Sequence, residues 1–164
     1  MLPQDIEASA AAVIQAALKA GVMVATAESC TGGLVSAALT AIAGSSAVLD
    51  RGFVTYSNEA KAELLGVSDA LLSEFGAVSE PVARAMAMGA VARSRAAVSV
   101  SITGVAGPGG GSVEKPVGLV HFAAVARDGA VVHVARRFGD IGRGEVRMES
   151  VRIALALLLD AVST

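Results

Sequence analysis

The feature that most constrains this chain is the passage from an apolar run, Val22-Met23-Val24-Ala25, through Thr26-Ala27-Glu28-Ser29-Cys30-Thr31-Gly32-Gly33 into an uncharged, helix-like stretch. An apolar run that meets a glycine pair predicts a strand over 22–27 emptying into a tight turn. Helical periodicity then resumes over Thr31–Ala43 and stops at Gly44-Ser45-Ser46. Strand, turn and helix in that order belong to a layered α/β fold. The junction also exposes chemistry. Adjacent glycines let the backbone approach a ligand, and free N–H groups at a helix start favour an anion or a developing oxyanion. Ser29 and Cys30 are therefore placed like nucleophiles, with Glu28, Thr31, Gly32 and Gly33 as candidate substrate contacts beside them.

The remaining segments repeat the alternation. Ile6, Ala10, Val13, Ile14, Ala17 and Leu18 recur at helical spacing before Gly21, a natural helix stop. Gly52–Tyr56 reads as a strand, and the segment from Ser57 to Leu65, closed by Gly66, as a short capped helix. Ser79 is the expected cap of a helix that begins Glu80-Pro81 and runs toward Arg93. A third strand over Ala97–Ile102 opens into a glycine-rich loop, Thr103 to Ser112. Val117–Ala126 and Val131–Phe138 alternate around Asp128-Gly129, a strong hairpin signal, and a last helix places Val151, Ala154, Leu155, Leu158 and Leu159 on one face. These elements predict a mixed sheet between helices, residues 1–164 forming a single domain. Right-handed crossovers put the strand ends at Ser29, Tyr56 and Thr103 on one rim, where open α/β sheets bind ligands.

Composition excludes several classes. A hydrophobic content of 54% and a charged content of 17% suit a full core and argue against disorder. A formal net charge of −2, no Trp and one Tyr offer neither a basic footprint nor a stacking platform, so nucleic acid is not expected as a partner. One Cys excludes a disulfide framework. The acidic start Met1-Leu2-Pro3-Gln4-Asp5-Ile6-Glu7 is unlike a signal peptide. The uncharged residues 29–49 are broken by glycines and hydroxyls, so no membrane span is expected and the reading is cytoplasmic. His121 and His133 fall within the hairpin and read as structural. With one Cys and no clustered carboxylates, no metal ligand set is expected.

Residue type alone leaves alternatives open. Ser29 also suits a helix N-cap, Cys30 a buried filler, Tyr56 a packing aromatic and Lys61 a solvated helix charge. The glycine-rich loop matches neither G-x-G-x-x-G nor G-x-x-x-x-G-K-[ST].

Longer blocks carry more information. Thr26 to Gly33, Gly44-Ser45-Ser46, Arg51 to Lys61, Gly76-Ala77-Val78-Ser79-Glu80-Pro81 and Thr103-Gly104-Val105-Ala106-Gly107-Pro108 together resemble the CinA C-terminal family, in family order over almost the whole chain. Members of that family include nicotinamide-nucleotide amidases. The resemblance implies a three-layer α/β/α sandwich on a mixed, mostly parallel five-stranded sheet. It also implies hydrolysis of nicotinamide mononucleotide to nicotinic acid mononucleotide and ammonia without a cofactor. Carried over residue by residue, it implies Ser29, Tyr56 and Lys61 as the catalytic set. Candidate substrate contacts, besides the turn after Ser29, are Asn58 and, where the third strand opens into the glycine loop, Thr103, Gly104, Ala106 and Gly107. The histidines lie far from the glycine turns in sequence, so a serine–lysine arrangement suits the chain: a lysine of lowered pKa can act as base, and a tyrosine hydroxyl can relay its proton.

One departure bears on the phosphate. Family members commonly run Gly-Asp-Arg directly before the last helix, whereas this chain has Gly139-Asp140-Ile141-Gly142-Arg143. Arg143 and Arg147 are both candidates to neutralise the phosphate; the contact is placed at Arg143 because Arg147 then follows four positions on, as in the shorter relatives, and which of the two holds it stays open. A non-catalytic nucleotide-sensing or competence-related module, and an amidase for a different amide, stay open at this stage, as does assembly into a homo-oligomer.

Overall fold

The computed structural model of the protein describes residues 2–164. Among them, strands β1 (Val24–Glu28), β2 (Leu49–Val54), β3 (Val98–Gly104), β4 (Leu119–Val125) and β5 (Val131–Arg137) form one sheet in the order β2-β1-β3-β4-β5. β1 pairs in parallel with β2 and β3, and β4 runs antiparallel to β3 and β5, so β4 alone opposes the common direction. The helices are α1 (Gln4–Ala20), α2 (Leu34–Thr40), α3 (Asn58–Leu65), α4 (Asp69–Phe75), α5 (Glu80–Ala92) and α6 (Arg143–Ser163). Packing of α1, α2 and α6 on one face and α3, α4 and α5 on the other makes the three-layer α/β/α sandwich.

Side-chain alternation in β3 shows how residue choice builds those layers. Val98, Val100 and Ile102 point into the α1/α6 core and are wholly buried, each such burial contributing about 1.5–3 kcal/mol. Ser99, Ser101 and Thr103 point the other way. Ser99 Oγ donates to Ala87 O at 2.7 Å and Ser101 Oγ to Ala83 O at 2.6 Å, satisfying the buried hydroxyls on an alanine-rich helix that sits close to the sheet. Thr103 Oγ1 donates to Ala77 O at 2.9 Å, which holds the Ala77–Val78 segment against the end of β3.

Several sequence expectations need correction. The α2 helix is shorter than Thr31–Ala43 because Gly32 and Gly33 take positive φ, at 59° and 99°, leaving Gly33 at the N-cap. Ser29 is consequently not a helix cap. Ser79 stands at the start of α5, but its hydroxyl donates to Gly76 O instead of capping. Thr103 and Gly104 belong to β3, not to the loop after it, because their pairing with His121 and Val120 continues the ladder. Leu18 is 44% exposed, and Leu159 is only half-buried. Helix α4 has no counterpart in the sequence reading, although Ser68 accepting from Leu71 N and Gly76 at its end are ordinary boundary signals. No helix among the described residues is long and apolar enough to cross a membrane.

Candidate active site

The carboxyl ends of β1, β2 and β3 meet on one rim because all three run in parallel. The chain leaves β1 toward β2 through α2 on one face and returns to β3 through α3, α4 and α5 on the other. A cleft therefore opens beyond β1, where Ser29 follows directly. A cavity of about 290 Å³ occupies this cleft.

Its floor is a serine–lysine pair. Ser57 caps α3 by accepting from Ala60 N at 3.0 Å, and one turn in, Lys61 is carried inward to 1% exposure. Its Nζ lies 3.0 Å from Ser29 Oγ, 2.8 Å from Thr55 O and 3.4 Å from Tyr56 O. Thr55 N donates to Glu28 O at 2.9 Å, so the β1–β2 ladder extends one step and fixes the carbonyl that meets the amine. Burial pushes the Lys61 pKa below the ordinary lysine value. A neutral amine has two N–H donors and one lone pair. In that neutral form, with both donors on the carbonyls, the lone pair would face the Ser29 hydroxyl.

Cys30 adjoins the pair but is a poor nucleophile. It is 5% exposed in the main apolar core, and desolvation pushes its thiol up to about 11, so the thiolate is scarce near neutral pH.

Around this floor the structure brings together Ser29, Cys30, Tyr56, Lys61, Thr103, Gly104, Ala106, Gly107 and Arg143. Arg143, at the first turn of α6, donates from Nη2 to Tyr56 Oη at 2.9 Å and from Nη1 to Gly107 O at 2.8 Å, linking two walls of the cavity. Ala77, Val78, Val105, Gly109 and Gly110 line the same walls and were not among the site residues expected from sequence. The block Gly76 to Pro81 had flagged Ala77 and Val78, but only the Thr103–Ala77 bond brings them to the site.

Glu28, Thr31, Gly32, Gly33 and Asn58 do not line this cavity. The Glu28 carboxylate is fully buried on the other side of β1, where Oε1 accepts from Val35 N at 2.9 Å and Oε2 from Ser36 N at 3.0 Å. It closes the start of α2 and leaves little for a substrate, which corrects its assignment as a substrate contact. Asn58 is at the mouth of a separate hollow with Glu59 and Asp69. A larger cavity of about 510 Å³ between the ends of α1 and α6 has Lys19, Arg127 and Ser163 on its walls, but the Ser163 hydroxyl donates to Leu159 O at 2.7 Å and is not hydrogen-bonded to a base, so size does not mark the site. Among the described residues no cluster of His, Cys, Asp and Glu is arranged to hold a metal.

Fold and site thus define a three-layer α/β protein with a buried serine–lysine pair at the C-terminal rim of a mixed sheet. Residues 6–162 match the CinA C-terminal domain, and the chain belongs to that family. It is 54% identical over 148 residues to the nicotinamide-nucleotide amidohydrolase PncC of Enterobacter agglomerans, covering 89% of each chain. It is 55% identical to the protein of the same name from Escherichia coli K12, covering 87% of this chain and 86% of that one. The crystal structure of a competence/damage inducible protein, CihA, from Agrobacterium tumefaciens superposes with a TM-score of 0.96 at 57% identity, covering 100% and 99% of the two chains.

Proposed function

We propose that this protein is a nicotinamide-nucleotide amidohydrolase that converts nicotinamide mononucleotide to nicotinic acid mononucleotide and ammonia, in pyridine-nucleotide salvage in the cytoplasm. The observation that carries the reading is the buried Lys61 Nζ at 3.0 Å from Ser29 Oγ, and the names borne by relatives of more than half identity support it. In this mechanism neutral Lys61 accepts the Ser29 proton as Oγ bonds to the carboxamide carbon. The tetrahedral oxyanion is met by backbone N–H groups of the turn after Ser29. Protonation of the amide nitrogen, with the Tyr56 hydroxyl relaying from Lys61, breaks the C–N bond and releases ammonia. Water, deprotonated by Lys61, then hydrolyses the Ser29 ester to the acid. Arg143 anchors the phosphate: two of its five N–H donors hold Tyr56 and Gly107, leaving three for phosphate oxygens.

The test is ammonia release across nicotinamide mononucleotide, nicotinamide riboside, nicotinamide and glutamine. Turnover of the mononucleotide well above the others is expected, and turnover of glutamine alone would replace the substrate assignment.

A further inference from the structure

We infer that Arg147 is a positioning residue for the nucleophile turn and not an anchor for the substrate phosphate. This rests on the reading of Ser29 as nucleophile. Arg147 does not line the cavity. Its half-buried guanidinium lies against the turn: Nε donates to Cys30 O at 3.1 Å and Nη2 to Thr31 O at 3.2 Å. A Cβ at Gly32 would stand 3.5 Å from Nη2, so the turn runs close over the arginine.

Those two carbonyls belong to the peptides that join Cys30 to Thr31 and Thr31 to Gly32. In a planar trans peptide the N–H points opposite to the C=O, so fixing the carbonyls fixes the Thr31 and Gly32 N–H groups as well. Gly32 N–H closes the turn on Ser29 O at 3.0 Å. The N–H groups of Cys30, Thr31 and Gly33 have no acceptor among the described residues, and of these three residues Cys30 lines the cavity, so its N–H is the donor best placed for an oxyanion. Backbone bonds hold the two ends of the turn, Ser29 N–H donating to Ile102 O at 2.9 Å and Leu34 N–H to Thr31 O at 3.2 Å, but no backbone N–H reaches Cys30 O. Thr31 Oγ1 is buried without a partner, a deficit of about 1–3 kcal/mol that a relaxed loop would shed. Arg147, anchored on the long α6 helix, supplies two charge-assisted bonds that keep the turn in place. It sits one helical turn beyond Arg143, so the same helix holds both the cavity wall and the backbone behind the nucleophile.

Arg147→Ala and Arg147→Lys are to be compared with the unmodified protein by kinetics on mononucleotide and riboside, and by amide hydrogen exchange. For Arg147→Ala, kcat should fall about 100-fold on both substrates with KM little changed, as misplacement of a reacting group predicts. Arg147→Lys, able to reach one carbonyl, should recover part of the loss, and exchange should rise across residues 29–33 while the rest of the chain stays protected. A loss confined to the mononucleotide and carried by KM would make Arg147 a phosphate ligand and overturn the inference. Unchanged kcat, or exchange raised evenly through the chain, would also overturn it. If the unmodified protein hydrolyses neither substrate, the proposed function fails by itself, and exchange decides for Arg147: local loosening supports the positioning role, and unaltered protection at 29–33 defeats it.

Discussion

Arg143 and Tyr56, separated by 87 residues of chain, are joined by a 2.9 Å bond from the guanidinium to the phenol oxygen. The donated N–H occupies the oxygen's acceptor side, so the phenol proton is directed elsewhere and the tyrosine is set up as a donor. Since the same guanidinium also holds Gly107 O, the start of α6, the β2–α3 connection and the loop after β3 are tied together at the cavity mouth.

That tie makes Arg143 the residue whose loss should alter specificity. The riboside, which lacks the phosphate, is expected to be a poor substrate, and Arg143→Ala should narrow the kcat/KM preference for the mononucleotide by roughly tenfold or more, the scale of one charge-assisted contact. Equal kcat/KM for both substrates in the unmodified protein would refute phosphate anchoring. An unaltered preference in Arg143→Ala would place the anchor elsewhere.

Ser29 and Cys30 are distinguished by their surroundings. Ser29→Ala should lower turnover by several orders of magnitude, whereas Cys30→Ala keeps most activity, because the buried thiol is held up at about 11. Steady-state ammonia release decides between them, and the reverse pattern would identify a thiol enzyme.

Lys61 supplies a pH prediction with a definite sign. The base must be neutral, so kcat/KM should rise with pH through a pKa below the ordinary lysine value of 10.5, and Lys61→Arg should be nearly inactive because guanidinium stays protonated. Linkage points the same way. Over the interval between its lowered folded pKa and 10.5 Lys61 binds more protons in the unfolded state, so its contribution to stability should increase as pH rises. Denaturant midpoints across that interval should rise with pH more steeply, or fall less, in the unmodified protein than in Lys61→Met, the opposing contribution of the raised Cys30 thiol being present in both; an identical slope in the variant would remove Lys61 as its source.

Gly52 tests the support behind the nucleophile strand. Thr26 Oγ1 and Ser36 Oγ stand 2.6 Å apart, next to the buried Glu28 carboxylate, and a Cβ at Gly52 would come within 2.2 Å of Ser36 Oγ and 2.9 Å of Thr26 Oγ1. Gly52→Ala should therefore cost about 1–3 kcal/mol by overpacking, read as a shifted urea midpoint. Unchanged stability would mean that the Thr26–Glu28–Ser36 network moves freely.

Much of this architecture is local and was legible in residue order. The glycine pair after Ser29 requires a turn, Asp128-Gly129 requires a hairpin, and the apolar spacing of α1 and α6 faces a core, because torsional freedom and side-chain period act within a few residues. The roles of the polar side chains were not local. Whether Glu28 faces the substrate or the backbone of α2 depends on which side of β1 the helix packs, and the strand alternation alone is silent on that. Likewise Lys61 in isolation is an ordinary helix charge. Only the parallel placement of β2 beside β1 brings Thr55 O, Tyr56 O and Ser29 Oγ around its amine and removes water from it. Arg143 and Arg147 differ by one helical turn and are alike in sequence, yet α6 aims one at the cavity wall and the other at the carbonyls behind Ser29. The sequence by itself determined the elements other than α4, their order and the family. Burial, partner geometry and charge environment, which depend on contacts between residues far apart in the chain, were decided by the tertiary structure alone.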